Sequence, residues 1–83
     1  MSSTRALLQM PVDWKQHIVR TPDVLRGRPR LKGTRIPVSL ILGHLAAGQT
    51  VDEIIKEYPD LTSEQIAACL DYARDLAEIE IPT

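Results

Sequence analysis

The sequence predicts a mainly α domain, a three-helix bundle preceded by a small N-terminal β element. Three observations carry this. Beyond Pro37 the apolar residues recur at i, i+3, i+4 and i+7, the spacing of a single helix face. Two Thr-x-x-Glu/Gln boxes, at Thr50 and Thr62, mark helix starts. With no Phe, one Trp and two Tyr, the core has to be built from Leu, Ile, Val and Ala, which favours helices. Upstream of Pro37 the pattern changes to Gly, Pro and alternating cations, the mark of turns and short extended pieces.

In chain order, residues 1–13 read as a tail with one helical turn around Thr4–Gln9. Trp14 begins a turn into a short strand at His17–Arg20. Thr21-Pro22-Asp23 is turn chemistry, because Pro fixes φ and Asp bonds its own downstream backbone. Val24-Leu25 is a second extended piece. Pro29 lacks the N–H that a central strand donates, so any strand near it lies at a sheet edge. Pro37 disfavours helix at Ile36 and suits a first helical position.

The first helix is expected over Pro37–Ala47, with Val38, Ile41, Leu42, Leu45 and Ala46 on one face and Gly48 as the left-handed residue that ends it. A second, short helix starts at the Thr50–Glu53 box, carries Val51, Ile54, Ile55 and Tyr58, and stops at Pro59. The third starts at the Thr62–Gln65 box and runs to about Glu80, with Ile66, Cys69/Leu70, Ala73 and Leu76/Ala77 as its stripe. Short helix, tight connection and longer helix make the outline of a helix-turn-helix unit, homeodomain-like or winged-helix-like. Residues 14–80 form one domain, and 81–83 a C-terminal tail.

A chain of 83 residues has room for one core. A monomer this small buries only about 60–65% of its unfolded surface. Trp14 and Ile81 are therefore expected to be underburied, and a homodimer to cover them. Cys69 is the only cysteine, which excludes an internal disulfide and a Cys-based zinc site. A lone thiol in a helix reads as a small core residue in a reducing cytoplasm. The N-terminus has neither the pattern of a signal peptide nor a membrane-length apolar run, so the expected location is cytoplasmic, away from membranes.

The net charge of −1 conceals an asymmetry. Residues 1–44 carry net +6 and residues 45–83 net −7. Such a split predicts an anionic partner at one end, head-to-tail charge pairing between copies, or self-neutralisation between the basic hairpin and the acidic helices.

Catalytic chemistry finds no foothold. The Gly27…Lys32-Gly33-Thr34 run inverts the Lys-Gly order that a phosphate-binding P-loop needs, and Pro37 delays the helix. His17 and His44 fall on different elements, which leaves no metal set, and His44 reads as a boundary residue on the first helix. Asp71, Asp75 and Glu78 form an acidic stripe without a basic or His partner nearby, and read as a solvated helix face. The expectation is a protein that is not an enzyme and uses no cofactor.

Nucleic-acid binding has a stronger basis. Arg26, Arg28, Arg30, Lys32 and Arg35 hold five of the ten Lys and Arg residues within one short stretch. In extended chain, period-two alternation puts Arg26, Arg28, Arg30 and Lys32 on one face, where they match phosphates. The same residues also serve to block edge pairing of strands. The third helix would present Glu64, Asp71 and Asp75 to DNA, so only its first turn, Thr62, Ser63 and Gln65, can approach without repulsion.

The segments GRPRLKGTRIPVSLIL, LAAGQTVDEIIKEYP and LTSEQIAACLDYA together resemble the small prokaryotic family called domain of unknown function 433, over about residues 14–80. Gly33-Thr34-Arg35-Ile36, Tyr58-Pro59 and Leu61-Thr62 carry the resemblance. Arg30 and Gln65 depart from it, standing where a neutral and an acidic residue are common. The resemblance implies a compact helix-turn-helix-like fold with a small β element. It also implies an antitoxin that partners a PIN-like nuclease toxin and binds its own operator DNA. No catalytic residue carries over from it. The alternative is a protein-interaction or dimerisation module without a DNA role. On that alternative an arginine between Arg26 and Arg35 could fill the acidic metal cleft of such a nuclease. Arg35 also reads as an internal salt-bridge partner of the acidic helices.

Overall fold

The computed structural model describes residues 12–80, and the helical turn and Ile81 expected in the tails lie outside them. Its architecture is a three-helix domain with a small antiparallel sheet ahead of the helices. A 3₁₀ turn, Trp14–Gln16, opens it, capped by Asp13, whose carboxylate accepts from Lys15 N. Strand β1 is Ile18–Val19 and strand β2 is Arg30–Leu31. They pair with Ile18 opposite Leu31 and Val19 opposite Arg30. Ile18 and Leu31 therefore share the buried face, as strand alternation requires.

The second extended piece lies later than Val24-Leu25. Val24 is extended, but Leu25, Arg26 and Gly27 have φ of 52°, 57° and 77° and form a second 3₁₀ turn. Three successive left-handed residues reverse the chain before Pro29, so pairing starts only at Arg30. Beyond β2, Gly33 (φ 80°) and Thr34 make a tight reversal. The Thr34 hydroxyl donates to Leu31 O at 2.8 Å and accepts from Ile36 N at 3.0 Å. Leu31 N in turn donates to Ile36 O, Arg30 and Pro37 form a bridge, and Val38 N donates to Pro29 O. Leu31 is thus bracketed by β1 on one side and the entry to the first helix on the other.

Helix α1 is Val38–Ala46, and Pro37 is its extended N-cap rather than its first helical residue. The bridge to Arg30 holds Pro37 at ψ 146°, which postpones the helix by one position. Val38 and Ile41 are buried, while Ala46, expected on that face, is exposed. Gly48 ends the helix at φ 92°. Helix α2, Val51–Glu57, has the reciprocal capping box, with Glu53 N donating to the Thr50 hydroxyl and Thr50 N to the Glu53 carboxylate. Helix α3, Ser63–Glu80, has the second one, between Thr62 and Gln65. No described helix is long and apolar enough to cross a membrane.

The core is Ile18, Leu31, Val38, Ile41, Ile54, Leu61, Ile66, Ala68 and Cys69. On α3 the buried stripe is displaced from the expected one. Ala68 is fully buried, whereas Leu70 and Leu76 are 50% and 44% exposed. The N-terminal turn docks on α3 at Tyr72. Trp14 packs edge-on against the Tyr72 ring, with centroids 4.8 Å apart. Its indole N–H donates to Asp75 at 2.8 Å and its backbone N–H to Asp71 at 3.3 Å. Trp14 is therefore half-buried in the monomer and not left over for a partner. Asp71 and Asp75 are anchors for it rather than a solvated stripe.

Replacing either cap, Thr50→Ala or Thr62→Ala, is expected to cost about 1 kcal/mol, and the double variant the sum, because the boxes are separate. Trp14→Phe, which keeps the packing and removes the indole donor, is expected to cost about 1 kcal/mol. Urea unfolding with a shared m-value measures all three.

Candidate functional site

The positive charge of the chain gathers on the loops around the sheet. Arg20, Arg26, Arg28, Lys32 and Arg35 are exposed, and none has an ion pair among the described residues. The ion pairs there belong to Arg74, with Asp71 at 2.7 Å and Asp75 at 3.3 Å, within the acidic helix itself. Self-neutralisation between hairpin and helices is thus not how the described charges are arranged, and Arg35 has no internal salt bridge to a described acid. On the helices Asp71 and Asp75 engage Arg74 and Trp14, and Glu53 caps α2, while the loops keep their cations facing solvent.

These cations do not form one regular ribbon. Arg26 sits in the left-handed turn, so the period-two alternation that aligned it with Arg28, Arg30 and Lys32 is broken there. Arg30 is half-buried and works inside the fold. Its guanidinium donates to Thr34 O at 3.2 Å and to the Thr21 hydroxyl at 3.1 Å, tying the two reversals together, while its buried Nε has no partner. Arg20, which sequence reasoning passed over, joins the basic face. Its Nε donates to Gly27 O at 2.9 Å, and this aims the side chain at the left-handed turn. The turn signal at Thr21-Pro22-Asp23 hinted that the chain doubles back there, but not which side chain it would catch.

At the start of α3 the three candidate polar residues are mostly occupied. Thr62 and Gln65 bond each other in the capping box, and only Ser63 keeps its hydroxyl free of a described partner. This helix start offers little for base contacts. His44 lies between Gln49 and Tyr58, with Nε2 3.2 Å from the Tyr58 hydroxyl, and joins α1 to the end of α2. Among the described residues no group of three or more His, Cys, Asp or Glu side chains converges as metal ligands. Cys69 is fully buried, and desolvation pushes its thiol up to about 11.

These features define a class: a three-helix domain whose basic loops, carried by a two-stranded sheet, stand apart from acidic helices. The chain belongs to the DUF433 family, described as a protein of unknown function, whose model matches residues 18–73. The chain is 34% identical over 59 residues to the uncharacterized protein y4eO of Sinorhizobium fredii (strain NBRC 101917 / NGR234), covering 71% of this chain. It spans only 27% of that relative's length. A crystal structure of a DUF433 member protein from Anabaena variabilis ATCC 29413 superposes with a TM-score of 0.68 at 31% identity. That match covers 93% of this chain and 70% of the other. The family match takes in both reversals, the sheet and both capping boxes, whereas Trp14 and Asp75 fall outside it.

Arg30→Ala is expected to lower stability by about 1–2 kcal/mol through its lost bonds, while Arg28→Ala stays within about 0.5 kcal/mol. Thermal melts of the two variants distinguish the internal from the external arginine. The raised Cys69 pKa means the folded state holds its proton more tightly than the unfolded state. Its contribution is present below pH 9 and is lost as the pH rises from 9.0 towards about 11. Cys69→Ser is expected to flatten that alkaline loss in urea titrations.

Proposed function

We propose that this domain is a non-enzymatic, antitoxin-type regulator whose basic loop face engages a PIN-like nuclease. One observation carries the reading: Arg26, Arg28, Lys32 and Arg35 are exposed on adjoining loops without a described acidic partner. Cations left unpaired on a rigid support are suited to an external anion, since their field is not neutralised from within. A nuclease that holds metal in an acidic cleft presents such an anion, and an inserted guanidinium would displace the metal.

Operator DNA is the second anion the same face suits. The loops would contact phosphates, and α2 and α3 would act as a helix-turn-helix scaffold rather than a base reader, because Thr62 and Gln65 are bonded to each other. Phosphate contact gives affinity with little sequence choice, so a dimer with two half-sites would supply the spacing. The exposed Leu40 and Leu70, at 41% and 50%, favour a self-associating surface on the helical side. A module that only self-associates would bind neither nuclease nor DNA.

Three measurements test this. Charge reversal at Arg26 and Arg28 should relieve inhibition of a PIN-like nuclease partner, and inhibition that survives it removes the cleft-filling role. For DNA from the gene's own promoter, four phosphate contacts give a slope of log K against log salt of about −3.6. A flat salt dependence, or no binding at all, removes the operator role. Light scattering at tens of micromolar should give the mass of a dimer.

A further inference from the structure

Beside the basic loops lies a groove of about 320 Å³ that the proposed anion-binding role leaves unexplained. Its walls are Pro29, Leu42, Tyr72 and Leu76, and it also has the side chains of Arg20 and Arg28. No described Asp or Glu lines it. Leu76 is 44% exposed here, although the sequence pattern assigns it to the core stripe of α3. Two features of opposite solvation preference thus share one concavity: apolar walls that favour losing water, and guanidinium groups that need a counter-charge once water leaves.

We propose that this groove docks a short segment of a partner protein that has a branched aliphatic side chain flanked by Asp or Glu. Charge complementarity selects this occupant. An apolar segment without acids would leave Arg20 and Arg28 desolvated and unpaired, at a cost that outweighs the burial. A phosphate backbone would satisfy the arginines and leave Leu42, Tyr72 and Leu76 facing its polar oxygens. A flanked aliphatic residue satisfies both, with the side chain against Leu42 and Leu76 and the carboxylates on the guanidinium pair, in the bidentate geometry Arg favours. The volume admits one or two such side chains. Arg20 is already oriented by its bond to Gly27 O, so part of the ordering cost of binding is met before the partner arrives.

This inference rests on reading the domain as a binding module, and of the salt-dependent face it uses Arg28 alone. Arg26, Lys32 and Arg35 do not line the groove. The test is fluorescence anisotropy with a labelled synthetic peptide, Asp-Glu-Leu-Leu-Glu-Asp, against the full chain. Controls are the same peptide with both Leu replaced by Ser, a hexaglutamate peptide, and a short DNA duplex as competitor. The Leu peptide should bind at least about tenfold tighter than either peptide control. Ser39→Trp, an exposed position on the groove wall, should fill the groove and abolish peptide binding, with an unchanged circular dichroism melt. Arg28→Glu should weaken binding about tenfold or more. Reversing Arg26, Lys32 and Arg35 together should leave it unchanged.

Equal binding of hexaglutamate, insensitivity to Ser39→Trp, or full competition by the duplex against the variant reversed at Arg26, Lys32 and Arg35 would each overturn the groove as the peptide site. If the peptide fails to bind while promoter DNA or nuclease still does, the groove proposal falls alone. If peptide binding passes while DNA and nuclease binding are absent, the antitoxin reading falls and the groove stands.

Discussion

The constraint on which this fold depends is the closure of the first described turn onto the last helix. Trp14 reaches across almost the whole chain to Asp71, Tyr72 and Asp75, and combines one ring contact with two hydrogen bonds. Ile18 and Leu31 can then meet the helical core, because the turn that leads into β1 is already laid against α3. A sheet of two residue pairs has little stability of its own, and its survival here comes from packing. The burial of Ile18 and Leu31, at 4% and 0% exposure, supplies that packing.

From that closure the rest of the basic layer follows. Leu31 sits between β1 and the Ile36-Pro37 segment, so the chain has to reverse tightly on both sides of it. Gly33 and Thr34 make one reversal, and the left-handed run Leu25–Gly27 makes the other. Arg30 spans the two through Thr34 and Thr21. The remaining cations are pushed outwards by these reversals, since a charged head in a tight turn has nowhere else to be hydrated. Architecture and charge display are therefore one event: the residues that reverse the chain also set where the arginines point.

The acidic half of the molecule has a matching division of labour. Asp71 and Asp75 hold Trp14 and Arg74, and Glu53 caps α2. Their charges are engaged locally, which leaves the long-range asymmetry of the chain intact. The domain is consequently polarised, with the groove of Leu42, Tyr72 and Leu76 lying where the basic loops meet the helices.

The sequence by itself determined the helices, their order and their ends. Capping boxes at Thr50 and Thr62, the left-handed Gly48 and the stop at Pro59 act through backbone groups only a few residues away, so their geometry is encoded locally. It also carried the family, through Gly33-Thr34-Arg35-Ile36 and Tyr58-Pro59. Only the tertiary structure decided which arginines face outward. Arg30 and Arg28 are alike in an alternating pattern, and what separates them is a partner turn at Thr21 that arrives by chain reversal. The same holds for Asp71 and Asp75, a plain acidic stripe until Trp14 docks on them, and for Leu76, on the apolar stripe of α3 yet exposed beside the groove. Local hydrogen bonding is legible in the sequence because its partners are neighbours along the chain. Which side chain is buried, anchored or free depends on neighbours that only folding brings together.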